Sequence, residues 1–313
     1  MILVCGEALF DIFLAGESPE GRMALDASPG GSPFNVAIGL ARLGRESGFF
    51  GGLSRDLFGE RLANILTREH VDISRCVLSQ APTTLAFVEL AADKSARYAF
   101  RGAGAADRAL LPSDLPALDD SINALAFGSY TTVVQPVGDT LLEFAKREAG
   151  KRVIIYDPNV RPTVEPDLDI WRERFDAFAE TATILKASDE DLALLAPGAS
   201  VDDFATAAIA QGVSLVVVTH GSEGAIAFGA FGRIALPTVA TDVVDTVGAG
   251  DTVTAALITW LDEMRLLTPD AIAHLPSLDA RAALTFAMEA AAITCGRRGA
   301  NLPRRAELIH NRI

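Results

Sequence analysis

Cysteine is scarce in this 313-residue chain: Cys5, Cys76 and Cys295 are widely spaced and odd in number. With no CxxC pair and no Cys/His cluster, the sequence argues against a zinc site and against a disulfide framework. A reducing, cytoplasmic compartment is expected. Long hydrophobic runs are missing as well. No apolar stretch approaches the roughly 20 residues of a membrane span. The opening Met1-Ile2-Leu3-Val4-Cys5-Gly6-Glu7 has no basic segment before its apolar part, so no signal peptide is expected. Positive charge is in deficit: 27 Lys and Arg face 41 Asp and Glu, for a net charge of −14. That argues against the basic footprint of tight nucleic-acid binding. It leaves open a small polyanion in a cleft, where backbone N–H groups and one or two cations suffice. Disorder is excluded by the composition, since half of the residues are hydrophobic.

What is present is an alternation of short apolar runs with helical patterns. Strands are predicted at Ile2–Cys5, Phe49–Gly52, Ala124–Phe127, Val153–Tyr156, Thr183–Lys186 and Leu215–Thr219. Helices are predicted at Asn35–Leu43, Leu57–His70, Thr140–Glu148, Ile170–Glu180, Glu190–Leu195 and Asp202–Gln211. This order implies a mostly parallel sheet covered on both faces. Two Ala-rich helices, Thr252–Met264 and Ala280–Thr294, close the chain with little strand between them. Thr83–Leu90 and Ala96–Arg101 read as a hairpin with its turn at Ala92-Asp93-Lys94, and Phe10–Leu14 and Arg22–Leu25 as further strands. Strands without covering helices suit a small sheet over a cleft. One domain over 1–313 is therefore expected, with a β lid drawn from about 10–35 and 83–103.

The strongest chemical signal is Asp245-Thr246-Val247-Gly248-Ala249-Gly250-Asp251-Thr252, a small-residue loop opening onto a helix. The first N–H groups of a helix have no internal partners, and its dipole is positive there. Gly248, Ala249 and Gly250 let backbone approach an anion closely, as a phosphoryl group in transfer requires. Asp251 beside such a hole is either a plain N-cap or a base that accepts a proton from an attacking hydroxyl. A cap alone does not need three small residues. The second signal is Gly30-Gly31-Ser32-Pro33-Phe34-Asn35 ahead of a helix, where Asn35 can cap or face sugar hydroxyls. No G-x-x-x-x-G-K-[ST] occurs, nor an early G-x-G-x-x-G, which argues against Walker-type and nicotinamide enzymes.

The pair GGSPFNVAIGLARLG and DTVGAGDTVTAAL resembles the two signatures of the ribokinase/PfkB carbohydrate kinases, in order and separation. The resemblance implies a ribokinase-like three-layer α/β sandwich with a mostly parallel central sheet and a small β lid. It implies transfer of the γ-phosphoryl group of ATP to a sugar hydroxyl, with Mg²⁺. By the same resemblance Asp251 is the base and Gly248, Ala249 and Gly250 the anion hole. Asp11, Gly30, Gly31 and Asn35 match sugar-contacting positions. Asp245 matches an acid associated with a monovalent cation, which leaves K⁺ activation open. Tyr156-Asp157-Pro158-Asn159-Val160-Arg161 with Trp171 resembles the D-x-N-x-R…W pattern of fructokinases and 2-keto-3-deoxygluconate kinases. Arg161, and Arg101 from the lid, are the cations expected to reach the sugar.

On the nucleotide side, Lys186-Ala187-Ser188-Asp189-Glu190-Asp191 takes the place of the family's N-x-x-E motif. Lys186 and Ser188 are expected at the phosphates, and Asp191 at Mg²⁺ through water. Thr219-His220-Gly221-Ser222-Glu223-Gly224 matches the family's nucleotide turn, with Thr219, Gly221 and Gly224 as its contacts. Asn301 is a candidate on the adenine side. D-fructose is the expected acceptor. 2-Keto-3-deoxygluconate is the alternative, and a catalytically idle sugar- or nucleotide-binding module is a reading of a different class. A homodimer through the lid is open.

Overall fold

A computed structural model describes residues 1–17, 20–90 and 96–308. In chain order the elements are β1 (Ile2–Cys5), β2 (Leu9–Glu17), β3 (Met23–Gly30), α1 (Ser32–Arg42), β4 (Ser47–Phe50), β5 (Gly52–Ser54) and α2 (Leu57–Arg68). Then come β6 (Val77–Ser79), β7 (Leu85–Leu90), β8 (Ala96–Arg101), β9 (Ala124–Gly128), α3 (Val137–Glu148), β10 (Val153–Asp157), α4 (Leu168–Ala179), β11 (Ile184–Ser188) and α5 (Asp189–Leu195). The chain continues through α6 (Val201–Ala210), β12 (Leu215–Thr219), β13 (Ala225–Gly229), β14 (Gly232–Leu236), α7 (Ala249–Glu263), α8 (Pro269–Ala273) and α9 (Ser277–Cys295).

Eight strands form the main sheet in the order β14-β13-β12-β11-β10-β9-β1-β4. The run from β4 to β12 is parallel, and β13 and β14 are antiparallel additions at one edge. Side chains of a strand alternate between faces, and both faces here are dry. Ile2 and Val4 of β1 join the core under α1, α7 and α9, while Leu3 and Cys5 join the core under α3, α4 and α6. Apolar runs with no polar alternation are therefore what this sheet requires. Trp171 of α4 is fully buried, and its Nε1 donates to the Glu165 carbonyl at 2.9 Å.

A separate four-stranded sheet, β3-β2-β7-β8, forms the lid. Asp11 pairs with Ser28 on one side and Ala86 on the other. The expected hairpin turn at Ala92-Asp93-Lys94 lies outside the described residues. The expected single strand Phe49–Gly52 is two: β4 joins the main sheet, and β5 turns away to pair with β6. The hairpin β13–β14 and the five-residue α8 had no counterpart among the expected elements.

Candidate active site

The site lies at the carboxyl ends of β10 and β11, against the N-termini of α1 and α7. α7 starts from Gly248, whose φ of 80° and ψ of 0° are left-handed. A Cβ there would stand 2.7 Å from the Ala300 Cβ, so both the conformation and the space demand glycine. No side chain caps this helix; the Ala249 N–H donates to the Thr246 carbonyl at 3.1 Å, and the Gly250 and Asp251 N–H groups that follow have no hydrogen-bond partner among the described residues.

Asp251 is the third residue of α7, not its cap. Its carboxylate reaches across to the start of α1. Ser32 Oγ donates to Oδ1 at 2.6 Å, and Asn35 Nδ2 donates to Oδ2 at 2.8 Å. Burial pushes the pKa of Asp251 up. The Ser32 and Asn35 hydrogen bonds and the charges of Lys186 and Arg161 pull the other way. A carboxylate with an elevated pKa is suited to take up a proton. The expected helix over Asn35–Leu43 begins earlier, at Ser32 behind Gly31. Asn35 is thus inside the first turn and does not cap. Gly31 has φ 106°, and a Cβ on it would meet the Glu7 carbonyl at 2.8 Å. That close approach aims Ser32 and Asn35 at Asp251.

Asp11 enters from the lid. A Cβ on Gly30 would fall 2.5 Å from Asp11 Oδ2, so the bare glycine makes room for the carboxylate. Burial raises the pKa of Asp11 to about 6, and the charge of Arg161 lowers it. The charge of Arg161 acts on both Asp11 and Asp251, and its NH1 donates to the Val160 carbonyl at 3.0 Å. It follows Asn159, which has a left-handed φ of 41°, a conformation that asparagine tolerates better than most residues. Arg101 is not brought to Asp11. Its strand register aligns it with Leu85 and Phe10, on the opposite face of the lid from Asp11 and Ala86. Its NH1 donates to the neighbouring Phe100 carbonyl, at 3.4 Å.

Beneath the anion hole lies a buried ion pair. Lys186 Nζ donates to Asp157 Oδ2 at 2.9 Å, and both side chains are almost fully buried. A Cβ on Gly250 would be 3.1 Å from that Nζ, so the ammonium sits directly against the loop. Burial opposes its charge, yet Asp157, Asp191 and Asp251 outweigh burial and hold the Lys186 pKa above its ordinary value. Burial raises the pKa of Asp157 to about 6. Thr254 Oγ1, one turn beyond Asp251, donates to the same Asp157 oxygen at 3.3 Å. Asp157 Oδ1 is buried with no hydrogen-bond partner. The expectations for this site did not include Ser32, Asp157 or Thr254. All three lay inside quoted motifs, Ser32 in GGSPFNVAIGLARLG, Thr254 in DTVGAGDTVTAAL and Asp157 in the D-x-N-x-R run, which was the available signal.

Several expected ligands make structural contacts of their own. Ser188 is the N-cap of α5 and shares a capping box with Asp191. Asp191 Oδ2 accepts from the Ser188 N–H at 2.9 Å and from its Oγ at 2.8 Å. Asp191 Oδ1 accepts from the Val160 N–H at 2.7 Å, which fastens the loop that carries Arg161. Asp191 is buried, and both of its oxygens brace the loop that carries Arg161. Asn301 is exposed and accepts from Arg42 NH1 of α1 through its Oδ1 at 3.2 Å. Asp245 accepts from the Val247 N–H at 3.1 Å and the Gly299 N–H at 2.8 Å, and so ties the loop before α7 to the loop after α9. Thr219 ends β12, with Oγ1 donating to the Ala187 carbonyl at 3.4 Å. Gly221 and Gly224 bound the short 3₁₀ turn that leads into β13.

A mostly parallel sheet with an uncapped helix N-terminus at its carboxyl edge, a buried carboxylate beside that end and a small β sheet bearing a second carboxylate is the arrangement of a small-molecule kinase of ribokinase-like fold, and the comparisons show that class. Residues 1–307 match the family described as pfkB family carbohydrate kinase. The chain is 39% identical over 275 residues to a fructokinase of Rhizobium leguminosarum bv. trifolii, covering 88% of this chain and 84% of that protein. It is 33% identical to fructokinase-1 of Oryza sativa subsp. japonica, covering 99% and 96%. The structure of a Xylella fastidiosa fructokinase with bound ATP matches with a TM-score of 0.89 at 25% identity, over 99% of this chain and 97% of that one. A Vibrio cholerae fructokinase variant holding fructose, ADP and a potassium ion matches with a TM-score of 0.84 at 25% identity, over 99% and 97%. The chain belongs to the pfkB family of carbohydrate kinases, and it is a sugar-phosphorylating phosphotransferase.

Proposed function

We propose that this kinase transfers the γ-phosphoryl group of ATP to the 6-hydroxyl of D-fructose, giving fructose 6-phosphate and ADP. The observation that carries the mechanism is the Asp251 carboxylate, held in the first turn of α7 by donors from the Gly30–Asn35 loop. The fructokinase names of the relatives support the choice of sugar. Asp11, Gly30 and Gly31 contact the sugar from above. Asp251 takes the proton of the acceptor hydroxyl as its oxygen attacks phosphorus. The N–H groups at Gly248–Gly250 receive the developing charge on the phosphoryl oxygens, with the Lys186 ammonium just below. Arg161 lies where it can meet the sugar or the phosphoryl group.

Mg²⁺, when bound with the nucleotide, supplies charge neutralisation of the phosphates. No group of three or more metal-ligating side chains occurs among the described residues. Such a cation would therefore be held chiefly by phosphates and water. Asp157 Oδ1 is the oxygen that fits its water shell, being buried and without a hydrogen-bond partner. A K⁺ ion would be held by backbone carbonyls of the two loops that Asp245 joins, because the carboxylate itself is engaged by N–H groups.

Exposed Leu14, Met23, Leu25 and Phe87 give the lid an apolar outer surface, which supports a homodimer through it. Light scattering of wild type and a Leu14→Glu/Leu25→Glu variant checks this. The free cysteines support a cytoplasmic setting. No described helix is long and apolar enough to cross a membrane. The function is tested by coupled ADP release over fructose, 2-keto-3-deoxygluconate, ribose, tagatose and nucleosides, with and without K⁺. Fructose as the preferred acceptor is expected. Preference for 2-keto-3-deoxygluconate overturns the choice of sugar, and no turnover on any acceptor overturns catalysis.

A further inference from the structure

Ser32 opens α1, yet its hydroxyl does not cap that helix. It reaches instead to a residue 219 positions away and donates to Asp251 Oδ1 at 2.6 Å. Asn35 holds the other oxygen, Oδ2, at 2.8 Å. Oδ1 is therefore the oxygen through which Asp251 meets a hydroxyl group, and Ser32 Oγ already lies against it. An alcohol donating to the base is the arrangement that an acceptor sugar must also adopt before transfer. The Gly31 contact with the Glu7 carbonyl fixes the backbone from which Ser32 reaches.

We propose that the Ser32 hydroxyl holds the place of the acceptor hydroxyl at Asp251 and yields it to the incoming sugar. This deepens the proposed function and rests on it through the role of Asp251 as base. Ser32 is a positioning residue: it keeps the carboxylate turned toward the acceptor while the site is empty. It also favours the ionised form of the base. The charged groups acting on Asp251 are Lys186 from β11, Arg161 from the loop after β10 and Asp157 from β10, while α1 offers the neutral donors Ser32 and Asn35. Loss of the Ser32 donor removes a hydrogen bond to the charged form, and the pKa of Asp251 rises.

The test compares wild type, Ser32→Ala and Ser32→Thr. In Ser32→Ala the acid limb of the kcat/KM profile for fructose moves up by about 1 pH unit, the scale of one lost hydrogen bond to a charged group. Calorimetry without ATP shows fructose binding several-fold tighter, since no side-chain hydroxyl competes for Oδ1. Ser32→Thr keeps the hydroxyl and returns the limb to its wild-type position. An unmoved limb overturns the proposal. So does weaker fructose binding in Ser32→Ala, which makes Ser32 an ordinary sugar contact. If Ser32→Ala does not fold, Ser32→Gly is read in the same way. If wild type prefers another sugar, the fructose assignment fails alone, and the same comparison with that sugar still decides the role of Ser32.

Discussion

Helices α5 and α7 both begin at the cleft, and both carry aspartate as their third residue. In α5 the cap is Ser188, and Asp191 folds back on it in a reciprocal capping box. In α7 the cap position is Gly248, which offers no side chain, and Asp251 does not fold back. Asp251 is instead gripped by Ser32 and Asn35 from a distant helix. One helix end satisfies itself and fixes a loop, and the other stays open to an anion with a base beside it. The residue three places earlier sets the local partner: Ser188 draws Asp191 back onto its own helix end, and Gly248 offers no side chain, so Asp251 reaches across to α1.

The largest expected effect of breaking this contrast is in Asp251→Asn. Turnover falls by roughly 10²–10⁴, the usual worth of a general base, while calorimetry finds sugar binding retained. Gly248→Ala comes next. Its Cβ meets Ala300 in a left-handed conformation, a strain of about 1–3 kcal/mol. Steady-state kinetics are expected to show kcat about 10-fold lower or more, the factor that corresponds to 1.4 kcal/mol or more in the barrier. The pH dependence of sugar binding sharpens the role of the lid. Sugar hydroxyls donate to the charged form of Asp11, whose pKa is raised to about 6. Below that pH the neutral form accumulates, so the KM for sugar rises as pH falls, and it levels off above. A KM that is flat between pH 5 and 7 removes Asp11 from the sugar site. The smallest effect is in Asp191→Asn, which weakens a cap worth about 1 kcal/mol. Thermal unfolding is expected at a slightly lower temperature, with turnover reduced only a few-fold through the Val160–Arg161 loop.

The main sheet was legible because both of its faces are buried. Runs such as Val153–Tyr156 and Leu215–Thr219 have no polar alternation, and their strands begin where those runs begin. The hairpin β13–β14 escaped because it is an edge pair of two five-residue strands, joined by a turn at Ala230 and Phe231. At the site, the small-residue loop before Asp251 pointed to an anion because its chemistry is local. The partners of that aspartate were not legible: Ser32 and Asn35 lie more than 200 residues away and meet it only in the fold. The contact of Asn301 with Arg42 was hidden for the same reason, since the two are 259 residues apart. Asp191 is the opposite case. The Ser188-x-x-Asp191 spacing is a local capping signature, and family likeness to a cation motif obscured it. Asp157 and Lys186 lie on neighbouring strands, so their pairing depends on sheet order and not on sequence proximity.

The most direct measurement sets the two aspartates side by side. In one ADP-release assay at saturating ATP and fructose, kcat of Asp191→Asn should exceed that of Asp251→Asn by about 30-fold or more, the lower bound for loss of a general base less the few-fold loss expected of Asp191→Asn. A ratio near one, with both variants folded, would contradict the assignment of Asp251 as the base and Asp191 as a strut.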